Sequence, residues 1–176
     1  FCSASSSPQA KTCQLKVPVN CYLDSDCPQG FFCDSAKAKI IRDVKRVGQV
    51  TEIINALTAY REKFKTYPKL EAGSYLAGQS LSLWPSWQVN FLRELSLPLN
   101  FADPINRLGD CPGFDRVTCW NTATNQFYQA AGSGSNGSWV LPAGSYAYVY
   151  KYSGGQAFNF CATFEAEVKV DGLNFK

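Results

Sequence analysis

Apolar side chains recur at Ile40, Val44, Val47, Val50, Ile54, Leu57 and Phe64, flanked by Ile41, Ile53 and Tyr60. This three-and-four spacing gathers a stripe on one side of a 3.6-residue period and predicts one long amphipathic helix over Ala36–Pro68. Lys45, Arg46, Gln49, Glu52, Asn55 and Lys63 fall between and are expected to form its wet face. No proline interrupts the run, and Pro68, which lacks an amide hydrogen, cannot extend it. Asp34 or Ser35 is placed to cap the first turn, since either side chain can accept from an orphan backbone N–H. At 1.5 Å per residue the helix is roughly 45 Å long. A domain of this length is about 40 Å across, so the helix is expected to act as a spine.

Further along, the period changes. NQFYQA, SWVLPA, YAYVYKYS, AFNFCATFEA and EVKVDGLNF are rich in aromatic and β-branched residues and are bounded by glycine turns, which predicts short strands. Tyr146, Tyr148, Tyr150 and Tyr152 fall on one side of such a strand, with Ala147, Val149 and Lys151 on the other. The turn Ser153-Gly154-Gly155 leads to Phe158, Phe160 and Ala162 as the hairpin partner. Between helix and strands, SWQVNFLREL predicts a short helical run in an otherwise loop-rich stretch, and Gly132–Gly137 predicts a flexible turn. A long helix followed by an antiparallel meander is an α+β arrangement, with the spine packed against the sheet.

The first 35 residues differ from the rest. Phe1–Ser35 is Ser- and Pro-rich and places Cys21, Cys27 and Cys33 at equal intervals of six. So short a piece needs covalent ties. Eight cysteines, no histidine and no C-x2-C pair point to a disulfide framework rather than zinc, hence to export to the cell surface or beyond. Cys111 and Cys119 close a short loop and are expected to pair. That leaves Cys2, Cys13, Cys21, Cys27 and Cys33 an odd set, so Cys161 is expected to pair with one of them. The net charge of +3 is mild. Lys and Arg are dispersed, which argues against nucleic acid. Lys37, Lys39, Arg42, Lys45 and Arg46 crowd the first helical turns, either as a solvated face or toward an anionic surface or partner. No apolar run nears the roughly 20 residues that cross a bilayer, and no signal peptide is seen. The chain contains no methionine, so a processed product, an excised piece or the ordered part of something longer is expected.

Several of these features together resemble the globular part of type IV pilin-like proteins, most closely the major pseudopilins of type II secretion. The likeness spans about residues 36–168. It rests on the amphipathic spine with Ala56, Leu57 and Tyr60 in one turn, then Thr66-Tyr67-Pro68, Leu97-Pro98, Asp103-Pro104 and the aromatic hairpin. The resemblance implies a pilin-like α+β domain over 36–176, with the Cys-rich segment over 1–35 standing apart from it. It also implies a structural subunit of a pilus- or pseudopilus-like filament that associates with itself or with other pilin-like subunits. Family members carry an apolar half-helix at the N-terminus; here Phe1–Ser35 stands in that place. The alternative is a monomeric extracellular adhesin or ligand-binding module on the same fold.

Catalysis is not expected. Without histidine the usual Ser-His and Cys-His nucleophile pairs cannot form. GSGSNG lacks the Lys-Ser/Thr of a phosphate loop. Glu71, Asp103, Asp110 and Asp115 show no surroundings that single out an acid–base pair. Asp103, Asn106, Asp110 and Asp115 offer hard oxygens on a bent loop that would suit Ca²⁺, and the resemblance implies calcium on a loop near the sheet. The same side chains could instead serve turns and caps. Trp84, Trp87, Trp120 and Trp139 suit either a carbohydrate or partner platform or packing under loops. Asn136-Gly137-Ser138 matches a glycosylation acceptor.

Overall fold

The expected helix runs unbroken as α1, Ala36–Phe64, in a computed structural model that describes residues 2–3, 21–115, 117–124, 126–128, 141–166, 169–170 and 173–174. Ser35 is the cap: the Ala38 N–H donates to its Oγ (3.1 Å), and its hydroxyl donates to the Tyr22 carbonyl (2.7 Å). At the other end Lys65 turns left-handed, with φ 59°, and its N–H donates to the Arg61 carbonyl at 2.8 Å. This is the single-bond αL stop, reached three residues before Pro68.

The molecule is α+β, with one long helix, antiparallel strand pairs and disulfides. Two compact units form, one from Phe1–Val47 with Phe164–Lys176 and one from Gly48–Thr163. Their division falls inside α1.

The phase of the helix differs from expectation. In the first unit its buried positions are Ala38, Arg42, Asp43 and Arg46, and in the second Gln49, Ile53 and Leu57. Arg46 and Gln49, expected to be wet, are inside. Ile40, Ile41, Val44, Ile54 and Phe64 are exposed. The cause is side-chain pairing supplied from elsewhere in the chain, which overrides apolar periodicity: ionic partners for Arg42 and Arg46, a tyrosine hydroxyl for Gln49.

In the second unit a three-stranded antiparallel sheet has the order β3 (Gln79–Leu81), β6 (Val149–Tyr152), β7 (Phe158–Cys161). The hairpin register follows the aromatic alternation, with Tyr150 opposite Phe160 and Tyr152 opposite Phe158. Ile53 and Leu57 of α1 share a core with Trp87, Phe91, Leu92, Tyr148 and Tyr150. The buried tyrosines keep their hydroxyls paired: Tyr148 donates to Gln49 Oε1 (2.8 Å) and Tyr150 to the Pro68 carbonyl (2.7 Å). Burial pushes the Tyr150 phenol well up.

The meander is smaller than the sequence suggested. Gln79–Leu81, read as loop, supplies an edge strand, because three buried residues are too few to show a period. The short run around SWQVNFLREL is helical, and its centre, Trp87–Leu92, is wound as a π-helical turn that buries Trp87, Phe91 and Leu92. Residues 141–143 of SWVLPA are not a strand. In NQFYQA only β5 (Gln126–Phe127) forms, paired with β4 (Trp120–Asn121) apart from the main sheet. In the first unit the backbones of β1 (Cys2–Ser3) and β2 (Phe32–Cys33) pair, as do β8 (Lys169–Val170) and β9 (Leu173–Asn174).

Gly109 is held by close approach. A Cβ there would lie 2.0 Å from the Ala143 carbonyl oxygen, and the Gly109 N–H already donates to Ser145 Oγ at 2.8 Å. Since backbone cannot yield as a side-chain tip would, Gly109→Ala is expected to lower stability by about 1–3 kcal/mol in urea unfolding.

Candidate functional site

The loop proposed for calcium uses its oxygens internally. Asp103 is buried, and its Oδ1 accepts from the N–H groups of Ile105 (2.9 Å) and Asn106 (3.3 Å). Asn106 Oδ1 accepts from the Ser82 hydroxyl (2.6 Å). Asp115 Oδ1 accepts from the Val117 N–H, the Thr118 N–H and the Thr118 hydroxyl. Hydrogen bonds from the Thr118 hydroxyl and backbone hold the Asp115 carboxyl below its usual range. Asp110 is exposed. Asp103, Asp110 and Asp115 do not gather: among the described residues the one group of three or more potential ligands is Cys21, Cys27 and Cys33. Asp103 and Asp115 serve Asx-type turns, so the residues do not fit a calcium cage.

The cysteine trio, within 4.8 Å of one another, is no metal centre either. Cys21 and Cys33 are joined as a disulfide, and Cys27 is disulfide-bonded as well. Cys111–Cys119 pair as expected. Cys161 does not pair with an N-terminal cysteine: it carries a free, exposed thiol on β7, in the second unit, while Cys21 and Cys33 are tied to each other within the first. Cys13 and the side chain of Cys2 lie outside the described residues.

Nor do the tryptophans make a platform. Trp84 and Trp87 are buried, and Trp120 is half-buried. Trp87 donates from Nε1 to the Phe101 carbonyl (2.7 Å). Trp84 stacks on Phe127, which meets Trp120 edge-on. Their large apolar area goes into packing under loops. Trp139, the Gly132–Gly137 turn and the Asn136 acceptor lie outside the described residues.

The most distinctive chemistry belongs to the first three turns of α1, where charge points inward and apolar surface points out. Arg42 grips Glu165 with two parallel bonds, Nε to Oε2 (2.5 Å) and Nη2 to Oε1 (2.7 Å). Its Nη1 reaches Asp24 Oδ1 (2.5 Å), and both Nη groups donate to the Cys33 carbonyl (3.1 Å each). Arg46, fully buried, donates from Nη1 to Asp43 Oδ1 (2.6 Å) and Glu165 Oε2 (2.9 Å). Asp43 in turn accepts from the N–H groups of Glu165 (3.1 Å) and Ala166 (2.8 Å). Burial alone would lower the Arg42 pKa, but bonds to Glu165 and Asp24 win and raise it. Burial would raise Glu165, but bonds from Arg42 and Arg46 and their charge bring it below the usual range.

With both arginines and Asp43 turned in, the exposed α1 residues of this unit are Ala36, Lys37, Ile40, Ile41, Val44 and Lys45. Ile40, Ile41 and Val44 are 55%, 50% and 67% exposed. Lys39 pairs with Asp34 at 2.6 Å. Apolar periodicity found these residues but assigned them to the core. Asp24, Asp43 and Glu165 had no role in that reading; the Arg-Asp-x-x-Arg run at 42–46 was a usable signal, whereas nothing local marks Glu165. No described helix is long and apolar enough to cross a membrane. Set against protein-family models, curated proteins and solved structures, the chain matches none of them.

Proposed function

We propose that this chain is a secreted structural subunit of a pilus- or pseudopilus-like surface assembly, acting by association and making or breaking no bond. The observation that carries the reading is the ridge of Ile40, Ile41 and Val44, large aliphatic side chains held outward on a helix anchored from its other side by buried ion pairs. An apolar ridge kept on a rigid helix is what a subunit contact requires. The resemblance in element order and the aromatic hairpin register add to it. In producing cells, Val44→Asp is expected to abolish incorporation into surface filaments. Its unfolding free energy should stay within about 0.5 kcal/mol of wild type, because the side chain is exposed. Undiminished incorporation would remove the reading.

A second reading, the monomeric binding module, draws on the Cys111–Cys119 loop, whose Val117 is 67% exposed. Loss of surface adhesion on Val117→Asp, in a chain that forms no filaments, would favour it.

A further inference from the structure

We infer that the ridge on the first turns of α1 docks a helix of a different subunit, one whose apolar seam is bordered by carboxylates, and rejects a second copy of itself. The inference rests on the subunit reading and specifies the chemistry of the partner.

Lys37, Ile41 and Lys45 lie four residues apart, and so do Ile40 and Val44, so two adjacent rows run along the helix. One row is aliphatic; the other is an isoleucine between two lysines. Every side chain exposed on α1 from Ala36 to Val47 is apolar or cationic, because the one carboxylate of that stretch, Asp43, is buried against Arg46. Asp26, outside α1, is committed to the N–H groups of Tyr22 and Leu23.

Charges flanking an apolar helical seam set partner choice in helix pairs. Complementary charge speeds and orients docking, while like charge brought together excludes wrong partners. Pairing this face with an identical one would bring the lysines of both copies together with no carboxylate exposed on these turns of α1 to offset them, Asp34 before the helix being held by Lys39. A carboxylate-bordered seam meets the aliphatic row and both lysines at once. A lipid surface fits less well: two lysines and three aliphatic side chains are fewer signals than stable adsorption takes.

A charge-swap mixing experiment tests this on the whole chain. Lys37→Glu/Lys45→Glu gives the same ridge with an acidic border, at exposed positions where circular dichroism can verify folding. In sedimentation velocity, the wild type mixed with this variant is expected to form a complex that neither forms alone. It should weaken about tenfold or more between roughly 0.05 M and 0.5 M salt and vanish when both partners carry Val44→Asp. Three results would overturn the inference: no complex in the mixture, wild type pairing with itself through this face as tightly as the mixture, or Lys37- and Lys45-dependent binding to phosphatidylglycerol vesicles with no heterocomplex. A heterocomplex alongside undiminished filament incorporation of the Val44→Asp chain would instead sink the subunit reading, so the two failures are separable.

Discussion

Replacing Arg46 with alanine is expected to lower unfolding free energy by about 3–5 kcal/mol, the usual result of removing one partner from a buried ion pair. Its side chain has no exposed surface, and it donates to Asp43 and Glu165, which are themselves almost fully buried. The loss is large because what stays behind is negative. Asp43 and Glu165 would share a dry site with one fewer cation, and Arg42 would carry the remainder. Urea denaturation measures the change, and pH distinguishes its cause. Glu165 has a folded pKa below its unfolded value, so its contribution is fully present above about pH 4.3. It is lost as pH falls from there through the folded pKa. The gap between wild type and Glu165→Gln should therefore narrow in acid and stay constant from about pH 6 to 8. A gap that is flat into strong acid would show that the ion pairs contribute no net stability.

Trp87→Ala is expected to be as damaging, about 3–5 kcal/mol. Trp87 is fully buried on the π-helical turn and packs on Phe91, Tyr148 and Phe160. Cavity and lost transfer energy supply most of the effect. The hydrogen bond supplies the rest, since the Phe101 carbonyl loses its donor. Trp87→Phe keeps much of the area but not the donor, and should cost about 1–3 kcal/mol. Equal losses for the two substitutions would show that the bond, not the packing, holds the turn.

Local signals read well here and distant ones did not. The helix start was legible because Ser35 is short-range punctuation; the stop was legible only to within a few residues, since Lys65 turns left-handed before Pro68 is reached. The hairpin of β6 and β7 was legible because a two-residue alternation lies on both sides of a glycine turn; its register, Tyr150 opposite Phe160, was not specified by that alternation. The Cys111–Cys119 bridge followed from its short loop. The rotation of α1 was not legible, since the partner that draws Arg42 inward, Glu165, is 123 residues away. Nor could spacing reveal that Asp103 and Asp115 satisfy their own turns, since turn acceptors and metal ligands are the same residue types. Trp84 and Trp87 looked available for binding only because composition does not record burial. Cys161 was not legible because a count of cysteines constrains how many are left over and not which ones.

That leftover sulfur has a practical use. Cys21, Cys27, Cys33, Cys111 and Cys119 are all oxidised, and disulfides do not react with maleimides. A dye or spin label applied without reductant would thus attach, among the described cysteines, to strand β7 alone. Among the described residues the chain carries one reporter handle, opposite Val149 of the central strand, which can serve as one end of a spectroscopic distance measurement.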